Sequence, residues 1–203
     1  MKRLPVFLTV ISLIGLIGLI GNDRVRAAGA SKLGLFVIYF SDGGEKVTLA
    51  CPKIMTFYDP QNDANRQKLL NTYKTKCPGG TVVLRLHDVL EGKKYTVSQD
   101  PVNSADDIFA SIQKAVNDMP QDARNMIDYV SGTNEFEQIP VLESREAAEW
   151  TAKFWARLAE NIKNILGKKP NIGDINVGFP HDINLIKYLM PAFISKPYNL
   201  ILY

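Results

Sequence analysis

The sequence predicts an α/β protein in which parallel strands are returned to one sheet by helices. From residue 33 onward, short apolar or β-branched runs alternate with longer segments of helical periodicity. The connections between them are short and rich in Gly, Pro, Asn and Asp. No linker interrupts the alternation, so residues 31–203 are expected to form one domain.

The first strand is expected at Leu33–Phe40, a continuous apolar run suited to a strand covered on both faces. Ser41-Asp42-Gly43-Gly44 breaks it, and Glu45–Ala50 reads as a short helix. Lys53–Asp59 is the second strand, stopped by Pro60. Asn62–Lys76 is helical, with Leu69, Leu70 and Tyr73 on one side and Pro78-Gly79-Gly80 ending it. Thr81–Asp88, β-branched at its start and polar at its end, is the third strand. Ser104 is expected to cap the next helix, with Asp106 and Asp107 in its first turn and Ile108, Ile112, Ala115 and Val116 as its buried face.

Residues 126–135 are the fourth strand. Ser144 caps a long helix with the stripe Ala147, Phe154, Leu158, Ile162 and Ile165, and Gly167 and Pro170 stop it. Trp150 and Trp155 lie inside this helix, where packing is expected of them rather than sugar stacking. A fifth strand is expected within Asn171–His181, centred on Ile175–Phe179, followed by a short helix over Asp182–Met190. A Rossmann-type sheet is the rival architecture. It lacks its signature here, since no Gly-x-Gly-x-x-Gly follows the first strand.

Lys2 and Arg3 precede an apolar run from Leu4 to Ile20, and small residues follow at Ala27, Ala28 and Ala30. This pattern predicts a secretory signal peptide over residues 1–30 and an exported protein. The run is near the minimum length of a membrane span, which leaves an uncleaved anchor as the alternative and the only expected membrane contact. The leader holds four of the 24 basic residues and one of the 21 acidic ones, so the remainder carries 20 of each. A neutral domain without a basic stripe argues against nucleic acid as a partner. Cys51 and Cys77, the two cysteines, each precede an expected strand. They are either a disulfide, which export favours, or two buried thiols.

The expected fourth strand ends in Asn134-Glu135. A glutamate at a strand tip is held rigidly enough to serve as a general acid/base, and an adjoining asparagine amide can hydrogen-bond a sugar hydroxyl. Other polar residues fall at the same ends of their strands: Asp59, Arg85, His87, Asp88, Glu137, His181 and Asp182. Tyr58, Phe136 and Phe179 are the aromatic residues nearest that rim. Two histidines with carboxylates have metal-binding chemistry, but no His-x-His or His-Glu-x-x-His spacing accompanies them, and no metal or cofactor is assigned.

With Asn134-Glu135 so placed, the chain over residues 33–182 resembles the (β/α)8 glycoside hydrolases of clan A. In that clan the fourth strand ends in Asn followed by the acid/base Glu, and a second Glu, the nucleophile, ends the seventh. The resemblance implies a TIM-type β/α barrel with Glu135 as catalytic acid/base and Asn134 in contact with the sugar. His87, His181, Arg85 and Asp59 would be further carbohydrate-binding residues. A full barrel of this type runs to roughly 250 residues, and Tyr203 follows only five expected strands. The expectation is therefore a partial, truncated barrel from a larger enzyme-like protein, inactive alone for want of the second carboxylate. A non-catalytic carbohydrate-binding or surface domain is the second reading, and a metal-dependent hydrolase the third.

Overall fold

The computed structural model describes residues 34–37, 46, 48, 50–133, 137–173 and 180–194. Among the described residues five strands form one sheet: β1 (Gly34–Val37), β2 (Ile54–Tyr58), β3 (Thr81–Arg85), β4 (Tyr129–Ser131) and β5 (Lys169–Asn171). They lie side by side in chain order, and every neighbouring pair is parallel. Crossovers between parallel strands are right-handed, so an unbroken 1-2-3-4-5 order sends each connection over the same face. A doubly wound sheet reverses its order at a switch point. This sheet has no reversal.

The helices are α1 (Ala64–Lys76), α2 (Pro101–Asp118), α3 (Gln121–Met126), α4 (Arg145–Leu166) and α5 (Ile186–Ile194). α2 packs on α4, α4 on α5, and α1 on α3, as one layer requires. Side chains alternate along each strand. Met55, Phe57, Val82, Leu84 and Val130 enter the core with Leu70, Ile108, Ile112, Trp155 and Leu158 of the helices. Thr56, Tyr58, Val83, Arg85, Tyr129, Ser131 and Asn171 occupy the opposite face in matching register. Close packing against α4 explains a glycine at 132. A Cβ there would stand 2.8 Å from Leu158 Cδ2.

Local chemistry explains where these boundaries differ from the expected ones. Helix α1 starts at Ala64 because the Asp63 carboxylate accepts the Asn65 and Arg66 amides. Asp100 rather than Ser104 caps α2, accepting the Asn103 amide while Pro101 supplies the pre-set first φ. Ser104 instead donates its hydroxyl back to the Asp100 carbonyl at 2.8 Å. Met126, expected in the fourth strand, closes the short helix α3 that Pro120 opens. Ser144 does cap α4, and Gly167 ends it in the left-handed region at φ 65°. Ile165, expected in the buried stripe, is 55 % exposed. Both tryptophans pack as expected: Trp150 stacks on Phe154 and donates to the Gln99 carbonyl, and Trp155 is fully buried.

The fifth described strand starts earlier in the chain than the expected one. It lies at Lys169–Asn171, immediately after α4, whereas the expected 175–179 centre lies outside the described residues. Pro170 is part of the strand instead of a stop. The Lys169 amide donates to Asp128 and the Asn171 carbonyl accepts from Gly132, so Pro170 turns its missing N–H away from β4. A proline fits a strand at such a position. The expected short helix after it begins as a 3-10 turn, Ile183–Leu185, capped by Asp182, before α5.

Cys51 and Cys77 form a disulfide, with Cα atoms 5.4 Å apart. Each stands just before a strand, Cys51 before β2 and Cys77 before β3, so the bridge joins their N-terminal ends. Peptide mapping under non-reducing conditions should recover residues 51 and 77 linked. Cutting a closed loop of 26 residues by a Cys51→Ala/Cys77→Ala exchange should lower unfolding free energy by about 3 kcal/mol in denaturant titrations.

Between α2 and α4, Asp106 accepts Arg157 Nε and Asn161 Nδ2, each at 2.7 Å. The Arg157 hydrogen bond, helped by Asn161, holds the Asp106 carboxyl below its usual range. A depressed carboxylate contributes stability above its unfolded pKa and loses it as pH falls through the folded one. Asp106→Asn should therefore lower stability at neutral pH by at most about 1 kcal/mol for so exposed a pair. The gap between variant and parent should close in unfolding curves taken at successively lower pH.

Candidate functional site

A cluster of polar side chains gathers where β2 and β3 end. The β2–β3 ladder runs one step past Tyr58, because the Asp59 amide donates to the Arg85 carbonyl at 2.9 Å. Asp59 then turns into the left-handed region at φ 43°. This aims its carboxylate at the loop after β3, where it accepts the His87 amide at 2.8 Å and the Asp88 amide at 3.3 Å. Gln61 adds an Nε2 contact at 3.2 Å. Arg66 of α1 donates to the Tyr58 carbonyl, tying the end of β2 to the helix layer.

His87 was expected at a strand tip but lies two residues beyond β3, ahead of the 3-10 turn Asp88–Leu90. Its neighbours Leu86 and Leu90 are fully buried and anchor the loop. The imidazole is half-buried and stacked on Tyr58, with ring centroids 5.5 Å apart and planes 27° from parallel. Nε2 stands 3.3 Å from Glu137 Oε2, and Nδ1 stands 3.6 Å from Asp88 Oδ1. Glu137 comes from the segment after β4, where buried Gln138 and Ile139 fix the chain and the Gln138 carbonyl accepts the Tyr95 amide.

Arg85 is the register partner of Tyr58, on the sheet face away from the helices. Burial, with the charge of Asp59, pushes the Tyr58 phenol up to about 12; Arg85 opposes the shift, while Asp88 and Glu137 add to it. The phenol is thus a neutral hydrogen-bonding group throughout the physiological range. Among the described residues, Asp59, His87 and Asp88 are the group whose ligand atoms all lie within 4.8 Å of one another.

The structure therefore brings together Asp59, Arg85 and His87 of the expected site, with Tyr58, Asp88 and Glu137. His181 is exposed and stands outside the Asp59–His87–Asp88 group, just before the 3-10 turn that leads into α5. Asn134 and Glu135 lie outside the described residues, as do Phe136 and Phe179. The chain leading to the pair is described: Ser131 closes β4, and Thr133 is buried.

Sequence reasoning missed a second polar group, on the inner ends of β4 and β5. Asn171 and Ser131 are register partners, and Asn171 Nδ2 donates to Ser131 Oγ at 2.7 Å. Both are buried, and neither Asn171 Oδ1 nor Thr133 Oγ1 has a hydrogen-bond partner among the described residues. Polar residues at alternate positions, Ser131 and Thr133, were the available signal. No protein-family model matches the chain, and no curated protein or solved structure shows significant similarity to it.

Proposed function

We propose that this chain is an exported carbohydrate-binding domain of glycoside-hydrolase type, built from successive units of a β/α barrel. One observation carries the reading: the fourth strand of a singly wound parallel sheet ends at buried Ser131, and Asn134-Glu135 follows three residues later in the sequence. In β/α barrels the C-terminal strand ends hold the active site. The polar cluster of Tyr58, Asp59, Arg85 and His87 lies at that same end of β2 and β3.

In this reading Glu135 is the acid/base group and Asn134 contacts the sugar. Arg85 and His87 line the rim with them, and His181 belongs to its outer edge. Asp59 acts one step back, by holding the His87 loop. Retaining hydrolysis needs a second carboxylate about 5 to 5.5 Å from the first. In this reading the described strand ends contribute the sugar contacts around that acid/base group.

Binding of the full chain to a panel of plant, fungal and bacterial polysaccharides should reveal at least one ligand. Glu135→Gln should leave most of that binding intact, and Arg85→Ala should weaken it by about tenfold, the loss of one charge-assisted hydrogen bond. No binding across the panel, or binding indifferent to Arg85 and Asn134, would reject the carbohydrate assignment. Hydrolysis abolished by Glu135→Gln would show a complete enzyme instead of a binding domain.

Export has its own support in the Cys51–Cys77 disulfide, a bond that persists in oxidising compartments. N-terminal sequencing of the secreted or periplasmic product should find a first residue between 28 and 31. An intact Met1 in the membrane fraction would favour the anchored alternative.

A further inference from the structure

We infer that Asp59, His87 and Asp88 form a divalent-cation site, with Glu137 orienting the imidazole. The first ground is convergence. A ligand atom from each of the three side chains lies within 4.8 Å of the other two. Donors about 2.0 to 2.2 Å from a shared ion stand within such a separation of one another. They come from two different strand ends, β2 and β3, so the clustering is tertiary and not a run of neighbours in sequence.

The second ground is independent and concerns charge. Asp59 is only 1 % exposed, yet its carboxylate makes no ion pair with Lys, Arg or His among the described residues. Buried carboxylates are ordinarily paired or metal-bound. Neutral donors crowd one oxygen: Oδ1 takes the Gln61 amide and the His87 N–H. Among the described residues, Oδ2 receives the Asp88 N–H at 3.3 Å, shared with Oδ1. One oxygen of a buried anion is thereby left with unused lone pairs beside His87 and Asp88.

The third ground is the histidine itself. A neutral imidazole carries one N–H. Nε2 stands 3.3 Å from Glu137 Oε2, and Nδ1, on the other side of the ring, stands 3.6 Å from Asp88 Oδ1. Metal-bound histidines characteristically hand their other N–H to a carboxylate, which fixes tautomer and ring orientation. Stacking on Tyr58 holds the ring plane as well. One imidazole nitrogen with carboxylate oxygens suits Mn2+ or Zn2+ better than Mg2+ or Ca2+, whose preference is for oxygen alone. Three protein donors leave the remaining positions to water.

This inference does not rest on the carbohydrate reading, and the test needs no sugar. The full chain, stripped with EDTA, is titrated with MnCl2 followed by electron paramagnetic resonance and with ZnCl2 followed by calorimetry. One ion per chain is expected. His87→Ala should weaken binding at least a hundredfold, Asp88→Asn at least tenfold, and Glu137→Gln about tenfold as an orienting partner. Asp59→Asn also disturbs the loop it caps, so the exposed Asp88 and Glu137 carry the comparison, with circular dichroism confirming that each variant is folded. Folded parent protein that binds neither ion, or binding that His87→Ala and Asp88→Asn leave unchanged, overturns the site.

Discussion

The β2–β3 pair is the longest described ladder of the sheet, and it is fastened at both ends. Below, the disulfide joins Cys51 to Cys77 ahead of the two strands. Above, the Asp59 carboxylate takes the first amides of the loop that follows β3. Cys51 and Asp59 are also the two non-glycine residues in the left-handed region among the described chain, at φ 45° and 43°. Such backbone costs of order 1 kcal/mol or more per residue and persists only when its surroundings hold it. Here a covalent bond holds one, and a fan of hydrogen bonds holds the other. Strand β2 is therefore fixed in register and in height, and with it the level at which Tyr58, Arg85 and His87 meet.

That fixed level matters because every other unit is built outward from it. Asp128 precedes β4 and accepts both Lys74 of α1 and the Val82 amide of β3, at 2.7 and 2.8 Å. The Asp128 carbonyl then accepts Lys169 at the start of β5. Lys168 donates to the Arg124 and Ile127 carbonyls, closing the end of α3. The lower edge of the sheet is thus a chain of anchored strand starts. Its upper edge is free to carry loops of differing chemistry. This division of labour, stability at one end and variable polar groups at the other, is the property that suits parallel β/α units to binding.

The alternation of strands and helices was legible because it rests on local periodicity. Leu69, Leu70 and Tyr73 in α1, and Phe154, Leu158 and Ile162 in α4, mark their buried faces without any knowledge of the sheet. The Cys51–Cys77 pairing was legible as one of two alternatives, since each cysteine precedes a strand. The limits of strands were harder to read. Pro170 looks like a helix stop in sequence, and only its place on the side of β5 turned away from β4 makes it acceptable in a strand. Asp106 and Asp107 look like first-turn acids, but Asp100-Pro101 moves the helix start upstream and leaves them to pair with Arg157 and Lys93.

The candidate site divides along the same line. That Asp59, Arg85 and His87 sit at strand ends follows from reading strands, but their mutual geometry depends on one backbone sign at Asp59. With an extended conformation there, the carboxylate would leave the β3 loop, and the His87 and Asp88 amides would lose their acceptor. Sequence offers no mark for this beyond an Asp before Pro60, a pairing equally at home in an ordinary turn. His87 and His181 resemble each other on paper, each a lone histidine after an expected strand. What separates them is the environment: His87 has a stacked tyrosine and a carboxylate on each side of its ring, whereas His181 is exposed ahead of a 3-10 turn. The concentration of negative charge around one oriented imidazole is a property of three loops together, Asp59 from one, Asp88 from the second and Glu137 from the third. Burial is the first cause of the raised Tyr58 phenol, and the charges of Asp59, Asp88 and Glu137 add to it against the opposing Arg85.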